Sequence, residues 1–383
     1  MRFIFWFDVL MNATGTLSID ISAICANWQL LNSKASGVVV GAVIKADAYG
    51  LGAEIVGSAL YAAGAREFFF ATKAEALKFK TLGLLGCRYY VLGGTAGEDC
   101  TFIESGLIPV LFSISTVIAW AQACRALGVA APSAVKINTG MTRLGLDLSE
   151  FEDLLHDVDL FRAISAKLVM SHLACSEDSN NPINAEQLFR FERCVTLVRD
   201  MNPGVRFSLA NSSGIFLGPK WHFDLLRPGA ALYGINPTPG ALNPMSAVIR
   251  LSLPIMQIRR VAMDTTVGYG AAATVAAGAR LAVVAGGYAD GLQCTLGRAP
   301  EAMIAGQRVC AVGRISMDSM VFDVSSVALT DGELVGASVD VINDVLSLEY
   351  LMKKNNTLGY EVLTSLGGRF KRVYTEIGHD RRE

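Results

Sequence analysis

Val38-Val-Val-Gly-Ala-Val-Ile44 carries no charge and is dominated by β-branched residues. It is too short for a helix and lacks the alternation of a half-solvated strand, so it reads as a strand buried on both faces. Similar runs recur at Phe68 to Ala71, Tyr89 to Leu92, Leu107 to Phe112, Ala134 to Ile137, Ala166 to Ser171, Phe207 to Leu209 and Asp224 to Leu226. Helical patterns fall between them, for example Lys73 to Thr81, Ile114 to Leu127 and Asn184 to Asp200. This alternation implies βαβ units with a parallel sheet, and eight such strands predict a TIM-like (β/α)8 barrel.

After about Ala247 the texture changes. Ile249 to Val261, Leu281 to Val284, Met320 to Val324 and Val339 to Ile342 read as strands punctuated by glycines, with one helix at Leu348 to Lys354. The expected fold class is α/β: a barrel domain over residues 1–247, then a β-rich C-terminal domain over 248–383. A length of 383 residues suits two domains. Met1 to Leu10 is apolar with one early Arg2, but its cleavage pattern is poor. Residues 1–11 are therefore expected to be an N-terminal extension, with Met11 opening the enzyme proper.

Composition limits the function classes. Apolar residues make up 52% and charged residues 18%, so a membrane span must be tested. The best candidate, Ser105 to Cys124, contains Pro109, Ser113, Ser115, Thr116 and Gln122. It reads better as a strand followed by a helix with Ser113 as N-cap. A net charge of −2 and the lack of a basic run argue against nucleic acid and anionic membranes. Eight scattered cysteines without a CxxC pair read as reduced, buried thiols of a cytoplasmic protein. Four dispersed histidines give no metal-ligand spacing, so no metal is expected.

In such barrels the active site forms at the C-terminal ends of the strands. Lys45 follows the first strand, Lys136 and Arg143 sit in and after the fifth, and His172 ends the sixth. Asn211 and Ser212 follow the seventh, and Arg227 ends the eighth. Alone, Lys45 is better read as a solvated lysine, since lysines are mostly exposed. Its other reading is a partly desolvated amine that attacks aldehydes. Ser212 with Gly229-Ala230 is either a cap and a turn, or an anion cradle of a hydroxyl and backbone N–H groups. Arg227 is either a paired structural arginine or a guanidinium that a ligand requires.

Longer motifs decide among these readings. Ala42-Val-Ile-Lys-Ala-Asp-Ala-Tyr-Gly50 resembles the pyridoxal-phosphate (PLP) lysine signature of alanine racemases, the fold-type III family. The resemblance continues through Lys136-Ile-Asn-Thr-Gly-Met-Thr-Arg-Leu-Gly145, Ser171-His-Leu-Ala, Asn211-Ser-Ser-Gly214 and Arg227-Pro-Gly-Ala-Ala-Leu-Tyr-Gly234. It enters the second domain with Val267-Gly-Tyr-Gly270, Gly287-Tyr-Ala-Asp-Gly291 and Gly313-Arg-Ile-Ser-Met-Asp318.

The resemblance implies a PLP-dependent isomerase that interconverts L-alanine and D-alanine and supplies D-alanine for peptidoglycan. Lys45 would bind PLP covalently and act as the base on the D-alanine side. Tyr269, from the partner subunit of a homodimer with shared active sites, would act on the L-alanine side. Tyr49, Asn211, Ser212, Gly229, Ala230 and Tyr374 would bind the cofactor, Tyr374 through a looser match in Arg369-Phe-Lys-Arg-Val-Tyr374. Arg227 would face the ring nitrogen, and a relay of His172 and Arg227 would keep positive potential beside Tyr269. Arg143 and the Met317 N–H would hold the substrate carboxylate, and Lys136 would be a carbamylated lysine positioning Arg143.

Two positions depart from the pattern. Leu51-Gly52 stands where His-Gly is frequent, and Asn138 where aspartate is common. Competing readings are a racemase for serine or a broader range of amino acids, a PLP decarboxylase of basic amino acids, and a non-catalytic PLP-binding protein. The decarboxylase reading fits less well because such enzymes bring a cysteine from the second domain, where this chain has Tyr269 and Met317. The C-terminal domain argues against a single-barrel carrier.

Overall fold

The computed structural model describes residues 14–35 and 37–376. These fall into two compact units, residues 24–246 on one side and residues 14–23 with 247–376 on the other. Strand β1 (Thr16–Asp20) belongs to the second unit.

The first unit is built on β2 (Val39–Val40), β3 (Ala42–Val43), β4 (Glu67–Phe70), β5 (Arg88–Val91), β6 (Ile108–Leu111), β7 (Ser133–Lys136), β8 (Ala166–Met170), β9 (Arg206–Ser208) and β10 (Leu225–Leu226). β2 and β3 are two halves of the Val38 to Ile44 run. Strands β3 to β9 pair in chain order, all parallel. β10 pairs with β2 through Leu225 and Val39. On its other side, the Asp224 N–H donates to the Phe207 carbonyl at 3.0 Å and the Arg227 N–H to the Ala210 carbonyl at 3.1 Å. The ring is thereby closed, as expected for the barrel. Each expected barrel strand is present, its ends displaced by at most one residue.

The barrel interior is packed. Val43, Phe69, Tyr90, Ile108, Val110, Ala134, Leu168, Met170 and Leu225 form one buried cluster. Phe69 and Tyr90 stack within it, their ring centroids 4.6 Å apart. Each such side chain stabilises by roughly 1.5–3 kcal/mol relative to exposure. At the N-terminal ends of the strands lies Glu67, only 2% exposed. Arg206 donates to it at 2.8 and 3.2 Å and Arg88 at 2.6 Å, while Arg206 also reaches the Tyr90 hydroxyl at 2.8 Å. Burial pushes the Glu67 carboxyl up, but its bonds and charge contacts with Arg206, Tyr90 and Arg88 outweigh this and hold it below the usual carboxylate range. A cavity of about 530 Å³ opens at this end, lined in part by Cys87, Arg88, Lys167 and Arg206.

Helix starts follow local chemistry. Ser113 caps the helix Ile114–Leu127, its hydroxyl accepting from the Thr116 N–H, as expected. Among the described residues no helix is long and apolar enough to cross a membrane.

The second unit holds β11 (Ile249–Arg260), β12 (Thr265–Val267), β13 (Ala273–Val275), β14 (Arg280–Ala285), β15 (Glu301–Ile304), β16 (Gln307–Cys310), β17 (Ser319–Asp323), β18 (Ser338–Ile342) and β19 (Lys371–Thr375). β11 is its spine, pairing antiparallel with β1, β14 and β18, while β19 runs parallel to β1. Leu17, Ile19, Leu251, Leu253, Val284, Phe322, Val339 and Val341 are fully buried in this unit.

The break near residue 247 lies within one residue of the expected one, but the start of the chain does not belong to the barrel. Thr16–Asp20 was assigned with residues 1–247 to the barrel, yet it is hydrogen-bonded between β11 and β19. Its inward face has only Leu17 and Ile19, too weak a pattern to announce a strand. The hairpins β12–β13 and β15–β16 and strand β19 were likewise unread. The expected extension over residues 1–11 lies outside the described residues.

Candidate active site

Lys45 stands at the mouth of the barrel, directly after β3. The Ile44 N–H donates to the Phe69 carbonyl at 3.0 Å, which anchors the chain before the lysine. After it, Ala46, Asp47, Ala48 and Tyr49 all have φ between 52° and 57°, a left-handed turn made without glycine. Such residues cost about 1–2 kcal/mol each, so the turn persists only because its surroundings impose it. Three contacts do so. The Ala46 N–H donates to Glu75 at 2.9 Å, the Ala53 N–H to Asp47 at 2.8 Å, and the Gly50 N–H to the Ala46 carbonyl at 2.8 Å.

The same mouth collects cations. Burial lowers the Lys45 amine, Arg143 lowers it further, and Glu75 works in the opposite direction. Lys136, at the end of β7, is brought down to about 8 by burial and then by Arg143, Arg227 and Lys45. His172 is held well below its usual value by burial and by Arg227, Lys136, Arg143 and Lys45, so it is neutral at neutral pH. Burial alone brings the Arg227 guanidinium down to about 9. Among the described residues no carboxylate offsets the charges acting on Lys136 or His172.

Arg227 is 4% exposed. It donates to the Ser208 hydroxyl and to the Ser171 carbonyl, with a longer bond to the Leu209 carbonyl at 3.5 Å. Among the described residues no hydrogen bond joins it to His172, so the expected relay is a shared field here and not a bonded chain. Arg143 is exposed, and its guanidinium makes no hydrogen bond or ion pair with a described residue. Its loop is ordered by Asn138, whose side-chain oxygen accepts from the Gly140 and Thr142 N–H groups at 3.2 and 3.0 Å. The Asn138 amide donates to Asp147 at 2.9 Å, a bond an aspartate at 138 could not make. Asparagine at this position is thereby explained.

On the cradle side, the Ser212 hydroxyl accepts from the Gly229 and Ala231 N–H groups at 3.0 and 3.1 Å. The Ala230 N–H donates to no described residue. A Cβ at Gly229 would lie 2.7 Å from the Tyr49 hydroxyl, so only glycine lets that phenol approach. The Tyr49 ring packs on Tyr233 with centroids 4.7 Å apart, and the Tyr233 hydroxyl donates to the Val43 carbonyl at 2.9 Å. Asn211 accepts from Ser176 at 2.8 Å and from the Gly214 N–H at 2.9 Å, which shapes the loop that presents Ser212. Leu51 is fully buried, an apolar contact where a polar one was in question.

The remaining candidates belong to the second unit. Tyr269 lies 72% exposed in a short turn, and Met317 is 53% exposed. The Met317 carbonyl accepts from Ala289 at 3.1 Å, while its N–H donates to no described residue. A Cβ at Gly287 would lie 2.2 Å from the Ser316 carbonyl oxygen, so Gly287 and the Met317 segment are in close contact. Sequence reasoning missed what holds them there. Asp290 is fully buried and accepts from the Gly287 N–H at 2.9 Å and from Arg369 at 2.7 and 2.8 Å; Arg369 also grips Asp318 at 2.6 Å. The signal was present in the aspartates of both motifs, but their common partner lies far along the chain. Tyr374, in β19, pairs in register with Ile19.

Comparison with known proteins bears on this arrangement. Residues 19–237 match the model of the alanine racemase N-terminal domain, and residues 248–374 that of the alanine racemase C-terminal domain. The chain belongs to the alanine racemase family. It is 44% identical over 364 residues to the alanine racemase of Rhodospirillum rubrum, covering 94% of this chain and 96% of that one. A catabolic alanine racemase of Agrobacterium fabrum is 40% identical over 368 residues, covering 96% and 93%. The crystal structure of alanine racemase from Bartonella henselae with covalently bound pyridoxal phosphate superposes with a TM-score of 0.88 at 36% identity, covering 95% of this chain and all of that one. The resemblance read from the motifs and the expected fold class are both borne out.

Proposed function

We infer that the chain is a PLP-dependent alanine racemase, an isomerase interconverting L-alanine and D-alanine. The observation that carries this is the barrel mouth: a lysine with a lowered pKa stands among Lys136, Arg143 and Arg227, cations that no paired carboxylate among the described residues balances. The group they await is anionic. PLP fits, because the Lys45 amine could attack its aldehyde, while Tyr49, Ser212 and the Ala230 N–H would hold its phosphate, on a loop shaped by Asn211. When bound, PLP withdraws electrons from the substrate's Cα and makes its proton removable.

The chain supplies two proton carriers. Lys45, whose lowered pKa enlarges the neutral fraction, takes or returns the Cα proton at Nζ on the D-alanine side. Tyr269 of the partner subunit exchanges a proton at its hydroxyl on the opposite face. Its exposure in a single chain supports a site completed by a second copy, as does the Met317 N–H, which is free to join Arg143 in holding a substrate carboxylate. Arg227 would donate to the cofactor's ring nitrogen, and Tyr374 would add a hydroxyl to the phosphate side. Lys136, brought down to about 8, has enough neutral amine to add carbon dioxide, and the carbamate would anchor Arg143. Cys87, Cys100, Cys124, Cys175, Cys194, Cys294 and Cys310 are free thiols, which supports a reducing cytoplasmic setting, with D-alanine destined for peptidoglycan.

The test is incubation with L-alanine in deuterated water. D-alanine carrying deuterium at Cα is expected from wild type, and Tyr269→Phe should lose turnover of L-alanine while still exchanging the Cα hydrogen of D-alanine. Wild-type protein that yields no D-alanine contradicts the reading.

A further inference from the structure

We propose that Glu75 is a positioning residue for the reaction, one that clamps the left-handed turn carrying Lys45 and Tyr49 to the start of the helix after β4. The proposal rests on the reading of Lys45 given above and extends it to a residue outside the motifs quoted for the resemblance.

One carboxylate does two jobs. One Glu75 oxygen accepts from the Ala71 and Thr72 N–H groups at 2.8 and 3.2 Å, and the Glu75 N–H donates to the Thr72 hydroxyl at 3.3 Å. This is a capping box on the helix Lys73–Lys80. The other oxygen leaves the helix and accepts from the Ala46 N–H at 2.9 Å. Ala46 is the first of four consecutive residues in left-handed backbone, and its N–H has no carbonyl to turn to. Lys45 is thus pinned on both sides, through Ile44 to Phe69 and through Ala46 to Glu75. The direction in which its side chain leaves the backbone follows from those two bonds. Tyr49 closes the same turn, so the amine and the phenol are set by one anchor.

Only a carboxylate of this length serves. All three groups facing it are N–H donors, so glutamine would have to turn its amide nitrogen towards at least one of them. Aspartate is one methylene too short to span from the cap to Ala46. The carboxylate also places negative charge beside Lys45, opposing Arg143.

The experiment compares Glu75→Gln with Thr72→Ala, which removes only the helix cap, in the holoenzyme. Amide hydrogen exchange is followed over residues 45–52, with PLP retention on dialysis and with kcat and KM. In Glu75→Gln, exchange in that segment and loss of PLP should both rise about tenfold or more, matching the loss of a hydrogen bond to a charged group. kcat should fall by a similar factor at saturating PLP, with KM for L-alanine little changed. Thr72→Ala should match wild type in the segment 45–52 even if its melting temperature falls. Wild-type exchange and PLP retention in Glu75→Gln overturn the proposal, as does a Thr72→Ala enzyme showing the same defects, which would make Glu75 an ordinary cap. Borohydride reduction separates the two levels. Wild-type protein with no PLP on Lys45 brings down the reading of Lys45 and this proposal together, whereas PLP on Lys45 with unchanged exchange removes the proposal alone.

Discussion

At the N-terminal ends of the barrel strands, Glu67 is enclosed by Arg206 and Arg88, and each charge has its partner. At the C-terminal ends, Lys45, Lys136 and Arg227 crowd together, and their pKa values are lowered. The same scaffold thus carries a satisfied ion cluster at one end and an unsatisfied one at the other. Buried charge that is fully paired belongs to the folded protein alone. Buried charge left unpaired lowers stability and persists where a ligand completes it. A cavity alone does not mark the site, since one of about 530 Å³ lies at the paired end.

Substitutions at the two ends should therefore fail in different ways. The largest effect is expected from Lys45→Ala, which should cost ~10³-fold or more in racemisation with little change in melting temperature, read by chiral chromatography and calorimetry. If Lys45→Ala instead unfolded the protein without a catalytic loss in the folded fraction, the contrast between the ends would collapse.

Glu67→Ala should do the reverse. It removes the acceptor of the half-buried Arg206 and the exposed Arg88 and is expected to destabilise by roughly 1–3 kcal/mol, read by chemical denaturation, with kcat of the folded enzyme unchanged. The pH dependence follows in sign. The folded-state pKa of Glu67 is depressed, so its contribution is fully present above the ordinary carboxylate value of 4.5 and is lost as pH falls through the lower folded value. Glu67→Gln should flatten that acid limb.

A smaller effect is expected at Lys136. Removing carbon dioxide and bicarbonate should raise KM for alanine severalfold by freeing Arg143, and bicarbonate should restore it. The restoration should weaken as pH falls below about 8, where the amine is protonated. Smallest of all, Asn138→Asp should raise KM about two- to fivefold, since a carboxylate there meets Asp147 and loses one bond of roughly 1 kcal/mol.

The barrel was legible because its strands are buried on both faces and so read as uninterrupted apolar runs, as at Val38 to Ile44 and Phe68 to Ala71. β1 was not, because one solvated face leaves it two inward residues, Leu17 and Ile19. At the site, residues inside the motifs could be named from sequence. Glu75 was readable as the N3 residue of a capping box, but its bond to Ala46 depends on a left-handed turn that nothing in Ala46-Asp-Ala-Tyr49 announces. The Asp290, Asp318 and Arg369 cluster was hidden for another reason. It joins segments far apart in the chain, and pairing at that distance leaves no local pattern.

Reduction of the purified protein with borohydride in the presence of PLP, followed by peptide mapping, tests the contrast between the two ends most directly. The account predicts the reduced cofactor on Lys45, at the end where positive charge is unpaired. Cofactor on Lys167, beside the cavity at the paired end, or on no lysine at all, would contradict it.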